Sequence, residues 1–419
     1  MAQVASEEMT EVELMKDEKG GLMWEEGITT ITFYKSSGDG SFETACSALR
    51  SQLDKVVGAN PWLAGRLVKG KTGTALSHPK APMASHIDKL FQVLKTDDAL
   101  KLDPISTYEK ICTDMYASKK VVVGSGFGTK GKDKPLCILT LLESSAAGTF
   151  ALVFSISHVI ADGRTYYDIF NMLSPGSAVR SLSSTRVMSF SETMRDTCGR
   201  KELAWMDSAP AMCMMMPVMM CPKKPKCCAF YLDPARVAEA KAKGAKDGGV
   251  PYVTTNDILT SGFFNECNSR IGMMGIDCRD KVAGVGADLA GNYVSALSID
   301  PDTFSSPASM RKMMSEKPYK TVAKPMPSCM KWCVGMESNS FSMVTNWSSF
   351  AGEMISLEGY EISVHLPVQN PAYMMFDVMI PFASGAGKVG VICWVVSTDE
   401  DGIKQSLPVG EPVSKELFP

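Results

Sequence analysis

The chain has 419 residues, 45% hydrophobic and 21% charged, with a formal net charge of -3. That length exceeds what one core of about 250–300 residues absorbs, so two lobes with a cleft between them are predicted. The near-neutral balance gives no electrostatic case for nucleic acid or an anionic membrane, and any anionic ligand needs local basic groups. The 13 cysteines form no Cys-x-x-Cys pair and have no histidine at finger spacing. With the odd count and the acidic, signal-free start from Glu7 to Glu18, they predict reduced thiols in a cytoplasmic protein and no metal site. No apolar run approaches the roughly 20 residues that span a bilayer, so no membrane helix is predicted.

Gly27 to Tyr34 alternates β-branched and aromatic residues and reads as a strand. From Ser41 the apolar positions Phe42, Ala45, Cys46, Leu49, Leu53, Val56 and Val57 recur at three and four, which predicts an amphipathic helix ending near Gly58. Gly124 to Gly128 lacks the spacing of a nucleotide-binding loop and reads as a turn. Leu136 to Glu143 and Thr149 to Ser157 are β-rich runs joined by Ser144 to Gly148, a predicted hairpin that delivers the chain to His158. Thr165 to Leu173 reads as helix. The segment 197–226, with Pro210, Pro217, Pro222 and Pro225, reads as a crossover linker between an N-terminal lobe, 1–196, and a C-terminal lobe, 227–419.

The second lobe opens with a strand, Ala229 to Leu232, and a helix from Asp233-Pro234 to Lys243. Another helix is predicted over Thr255 to Arg270, capped by Thr255 or Asn256. Late strands are Tyr360 to Leu366, Met374 to Ile380 and Lys388 to Val396.

His158 is one of four histidines and stands at a strand end among apolar neighbours, where desolvation favours the neutral imidazole a general base requires. A satisfied core histidine is the competing reading. Strand, His158-Val159-Ile160-Ala161-Asp162-Gly163, then helix resembles the signature of the chloramphenicol-acetyltransferase-like superfamily. Four more segments, in order, resemble its BAHD acyltransferase branch. These are Asn60-Pro61-Trp62-Leu63-Ala64-Gly65-Arg66-Leu67, Thr254-Thr255-Asn256-Asp257-Ile258-Leu259, Asp277-Cys278-Arg279 followed by Gly291-Asn292, and Val344-Thr345-Asn346-Trp347. The family's Asp-Phe-Gly-Trp-Gly is absent; Ser356 to Tyr360 stands near its place.

The resemblance implies an α/β fold of two lobes, each a mixed β-sheet flanked by helices, with a tunnel at their interface. It implies transfer of an acyl group from an acyl-CoA co-substrate to the hydroxyl or amine of a small-molecule acceptor, by a monomer without a metal. His158 is then the general base of a catalytic set with Asp162, Gly163 and Thr345, Thr345 serving the oxyanion. Asp162 points away from the imidazole into a structural ion pair with Arg279. Trp347 walls the acceptor pocket or is a core aromatic; Thr254, Thr255 and Asn256 meet CoA or form a plain helix cap. The rival readings are a catalytically inactive binding or scaffold protein of the same fold, and an enzyme using a carrier-protein thioester or carnitine.

Overall fold

The computed structural model describes residues 8–38, 40–95, 107–143, 148–213, 223–322, 326, 341–352, 354–385 and 387–413. The first half of the chain contributes strands β1 (Met9–Glu13), β2 (Gly27–Ser36), β3 (Arg66–Gly70), β4 (Gly73–Pro79), β5 (Phe91–Lys95), β6 (Cys137–Glu143) and β7 (Thr149–Ser157). The second contributes β8 (Lys226–Leu232), β9 (Ile271–Asp277), β10 (Val294–Ile299), β11 (Phe341–Val344), β12 (Tyr360–Val368), β13 (Asp377–Gly385), β14 (Lys388–Val395) and β15 (Val409–Pro412). They form two mixed sheets, a five-stranded one in the order β12-β2-β7-β6-β5 and a seven-stranded one in the order β10-β9-β11-β13-β14-β8-β15. A small sheet, β1-β4-β3, stands apart.

Strand β12 comes from the C-terminal segment yet pairs antiparallel with β2 along its whole length, Tyr360 opposite Ser36 through Val368 opposite Thr29. Residues 227–419 therefore supply both large sheets, and the chain passes from one to the other between β12 and β13. Within 197–226, residues up to 198 end the helix Phe190–Cys198 and a second helix covers Arg200–Met206, while 214–222 lie outside the described residues. The joint of the β6–β7 hairpin, 144–147, also lies outside them.

Helices follow the sequence periodicity closely. The run beginning after Ser41 forms the helix Phe42–Ala59, which buries Leu49, Leu53, Val56 and Val57. Asp233 caps Pro234–Gly248 through bonds from the amides of Ala235 and Arg236. The helix Thr255–Glu266 is capped one residue earlier than predicted, by Thr254, because the Thr254 hydroxyl accepts from the Asp257 amide while the Asp257 carboxylate accepts from the Thr254 amide. The glycine-rich turn 124–128 runs into one helical turn, Gly126–Thr129, capped by Ser125. Among the described residues no helix is long and apolar enough to cross a membrane.

Strands β2 and β7 are buried along nearly all their length, since helices cover one face and the other lies inside the molecule. That explains an otherwise awkward feature, three threonines in the middle of a buried strand. Thr29 pairs with the Ser155 hydroxyl at 2.8 Å, Thr30 with the Tyr166 hydroxyl at 2.7 Å and Thr32 with Nδ1 of His365 at 2.8 Å. Each buried hydroxyl thus has a partner, which avoids the cost of about 1–3 kcal/mol for leaving one unmade.

His365 is wholly enclosed, with its Nε2 at 3.2 Å from the Tyr167 hydroxyl, and burial drives its pKa from 6.5 to about 3. A folded-state pKa below the unfolded one means that the unfolded chain takes up a proton the native chain refuses. Stability is therefore complete above pH about 6.5 and falls as pH drops toward about 3, at roughly 1.4 kcal/mol per unit. Chemical denaturation should show a loss on the order of 3 kcal/mol between about pH 6.5 and pH 4 beyond that of His365→Gln. Superposable acid limbs for the two proteins would exclude His365 as the source.

Candidate active site

His158 follows β7 at the point where Ser157 faces Gly27 of β2. The chain turns at once, with the Ile160 amide bonded to the Ser157 carbonyl at 3.1 Å. The imidazole lies deep in the molecule but keeps one edge open to a cavity of about 290 Å³. Both large sheets wall this cavity: Ile28 of β2 and His158 from one side, Gly275 to Asp277 of β9, Met343 of β11 and Val378 and Ile380 of β13 from the other.

The protonation pattern of the imidazole follows from its neighbours. Nδ1 lies 3.1 Å from Oδ1 of Asn292. The Asn292 amide can point only one way, because its Nδ2 faces three acceptors: the carbonyls of His158 at 2.8 Å and Val159 at 3.3 Å, and Oε1 of Glu18 at 3.3 Å. Its oxygen is therefore the atom presented to the ring, and a carbonyl oxygen accepts only. Nδ1 must carry the proton and donate, which leaves the lone pair on Nε2. Burial, the largest influence, holds the His158 pKa below its ordinary value, against weaker raising effects from hydrogen bonds and from the Asp162 charge. The neutral ring is thus a base at neutral pH.

Asp162 takes no part in orienting that ring. Its Oδ2 and Oδ1 meet Nη1 and Nη2 of Arg279 at 2.8 and 3.2 Å, a bidentate pair in which both side chains are almost entirely buried. The same carboxylate accepts from the amides of Thr165 and Tyr293 at 2.8 and 2.9 Å, so it also caps the helix Gly163–Met172. Burial alone would raise the Asp162 pKa, but the Arg279 charge and these N–H groups outweigh it and hold the carboxyl below its ordinary value. Arg279 is satisfied further by Asp277, the Thr165 hydroxyl and the carbonyls of Gly291 and Leu289. Gly163, first in the helix, faces the cavity and offers no functional group.

Two residues essential to this arrangement had no mark in the sequence. Glu18 reads as one more acid of an acidic N-terminal stretch, yet it is fully buried, paired with Arg186 at 2.8 Å, and accepts from the Asn292 backbone amide at 3.0 Å. Arg186 in turn bonds the Ala290 carbonyl at 2.8 Å and the Ile160 carbonyl at 3.3 Å. Gly291 lies between these groups with φ of +128°, and a Cβ there would come within 2.7 Å of the Arg186 guanidinium. Only glycine satisfies both demands. The Gly291-Asn292 pair was visible as a motif, but not the imidazole contact of Asn292.

Thr345 and Trp347 also wall the cavity, and the Trp347 indole N–H donates to the Thr345 hydroxyl oxygen at 3.1 Å. The Thr345 hydroxyl, acting there as acceptor, keeps its own proton for donation. Thr254, Thr255 and Asn256 are not among the wall residues. The Thr254 hydroxyl is used in the helix cap, and Asn256 reaches the wall only through Asn346, whose Nδ2 donates to Asn256 Oδ1 at 2.9 Å.

No family model matches the sequence, and no curated protein matches it. Solved structures do. F. graminearum TRI101 complexed with ethyl coenzyme A is similar at 14% identity with a TM-score of 0.56, covering 95% of this chain and 97% of that one. Polyketide synthase associated protein 5 from Mycobacterium tuberculosis is similar at 14% identity and 0.55, over 94% and 96%. The first condensation domain of the calcium-dependent antibiotic synthetase is similar at 11% identity and 0.54, over 94% and 93%. The fold is the two-lobed chloramphenicol-acetyltransferase-like one. In this fold the cavity with His158 lies at the junction of the lobes, and the Asp162–Arg279 pair spans it.

A buried pair adds little net stability, yet stranding one partner costs about 3–5 kcal/mol. Asp162→Asn and Arg279→Met are each expected to destabilise on that scale, and the double mutant to be clearly less damaged than their sum, as read by denaturant unfolding. Strict additivity would show that the two groups do not act as a pair.

Proposed function

We propose that the protein is an acyl-CoA-dependent acyltransferase of the BAHD kind, in which Nε2 of His158 is the general base. The observation that carries this reading is the imidazole itself: neutral, with its tautomer set by Asn292, and its free nitrogen open to a cavity between the lobes. The neighbours support the chemistry, since TRI101 is complexed with coenzyme A and T-2 mycotoxin and with coenzyme A and deoxynivalenol. The five ordered motifs support the BAHD branch.

On this reading the acceptor's hydroxyl or amine loses its proton to Nε2 as its oxygen or nitrogen attacks the thioester carbonyl. Asn292 stabilises the imidazolium that forms, because Nδ1–H is already donated to its carbonyl oxygen, and this partly offsets the burial that disfavours the charge. The Thr345 hydroxyl donates to the oxyanion of the tetrahedral intermediate. Collapse breaks the carbon–sulfur bond, and the imidazolium protonates the departing thiolate. The products are acylated acceptor and free CoA, with no acyl-enzyme. Trp347 walls the acceptor side and holds Thr345 through its indole N–H. The start of the helix Thr255–Glu266, with Thr254, Thr255 and Asn256, supplies contacts to CoA, tied to the cavity wall through Asn346.

Thiol release from acetyl-CoA with a panel of alcohols and amines tests the reaction, and His158→Ala should abolish it while leaving CoA binding, measured by calorimetry, nearly intact. Wild-type turnover in that variant would overturn the mechanism, and thiol release by no acceptor would favour a binding protein of this fold. Thr345→Val should lower kcat by roughly 10²–10³-fold with little change in the acceptor KM, because an oxyanion contact is made mainly in the transition state. A change confined to KM would make Thr345 a binding residue.

A further inference from the structure

The cavity wall includes the apolar groups Met23, Tyr373, Met374 and Phe376, yet it also contains two consecutive carboxyl groups, Glu25 and Glu26. Glu26 has a defined place relative to the reacting centre. Gly27 pairs with Ser157 in the β2–β7 ladder, so Glu26 leaves the sheet beside His158, about one strand spacing of 4.7–4.9 Å away along the backbone. Its Oε2 accepts from the Asn370 amide at 3.1 Å, and among the described residues no cation pairs with either glutamate. The Tyr116 hydroxyl lies buried next to Glu26. Burial pushes the Glu26 carboxyl up to about 7, opposed only by these neutral donors.

A half-buried carboxyl in an apolar wall, with only neutral hydrogen-bond partners, is set to gain from a positive charge. An amine cation would supply that charge, and the apolar walls would strengthen the attraction. A purely hydrophobic acceptor would leave the Glu26 carboxyl buried against apolar groups, and a hydroxyl in that place would supply a hydrogen bond without the attraction of an opposite charge.

Resting on the acyltransferase reading, we propose that Glu26 is a specificity-determining residue and that the acceptor carries a basic nitrogen close to its reacting atom, as in an amino alcohol or a diamine. The protonated nitrogen is held by Glu26, while the neighbouring hydroxyl or free amine faces Nε2 of His158. The bound cation keeps its proton throughout, so transfer proceeds at the second group.

The test compares phenylglycinol with phenylethanediol, which differ in an ammonium against a hydroxyl and share an aromatic body for the apolar wall. Calorimetry on the full chain should show the amino alcohol binding at least tenfold more tightly, and Glu26→Gln, which retains an acceptor for Asn370, should remove most of that preference. Glu25→Gln should change it less. In thiol-release assays the ratio of the two KM values should move toward one in Glu26→Gln. Equal binding of both probes by the wild type, or an undiminished preference in a folded Glu26→Gln, would overturn the proposal. The binding measurement needs no turnover: selective binding without transfer would sink only the acyltransferase reading, and transfer to alcohols without amine preference would sink only this one.

Discussion

The ion pair of Asp162 with Arg279 is the constraint on which the site depends. It joins the end of the His158 loop, in the first sheet's part of the chain, to the segment after β9 in the second sheet. Removing two charges from water is costly, and their mutual attraction only about offsets it. The arrangement is tolerated because the remaining atoms are satisfied: backbone amides occupy the spare lone pairs of the carboxylate, and carbonyls, Asp277 and Thr165 occupy the spare donors of the guanidinium. What the pair contributes is position rather than net stability. It defines where the loop after His158 and the helix Gly163–Met172 can go, and hence where the imidazole sits.

A second buried pair, Glu18 with Arg186, acts on the same loop, where Arg186 donates to the Ile160 carbonyl. Through Asn292 it determines which imidazole nitrogen holds the proton, since the Asn292 amide is oriented by Glu18 and by two loop carbonyls. Two charge pairs and one glycine therefore give His158, a residue of the cavity wall, a single protonation pattern with Nδ1 donating to Asn292. In a hydrolase triad a carboxylate orients the ring; here a neutral amide does so. A neutral partner stabilises the imidazolium less than a carboxylate would.

The sequence by itself determined the strand–turn–helix frame around His158, the amphipathic helix after Ser41, the β6–β7 hairpin and the late strands. These rest on local periodicity, turn chemistry and capping, which act over a few residues and can be read from neighbours alone. Motif likeness extended that reading to the two-lobed fold and to Asp162, Arg279, Thr345 and Trp347 as residues to watch. What only the tertiary structure decided are contacts between residues far apart in the chain. Strand β12 joins the first sheet by pairing with β2, so that His365 lies opposite Thr32, 333 residues away. Glu18 reaches Asn292 across 274 residues and Arg186 across 168. No local pattern distinguishes Glu18 from the solvated acids around it, because burial of a charge is decided by whether a distant partner arrives to meet it. The same holds for Glu26, whose significance comes from the register that sets Gly27 opposite Ser157, a pairing made only when the sheet closes.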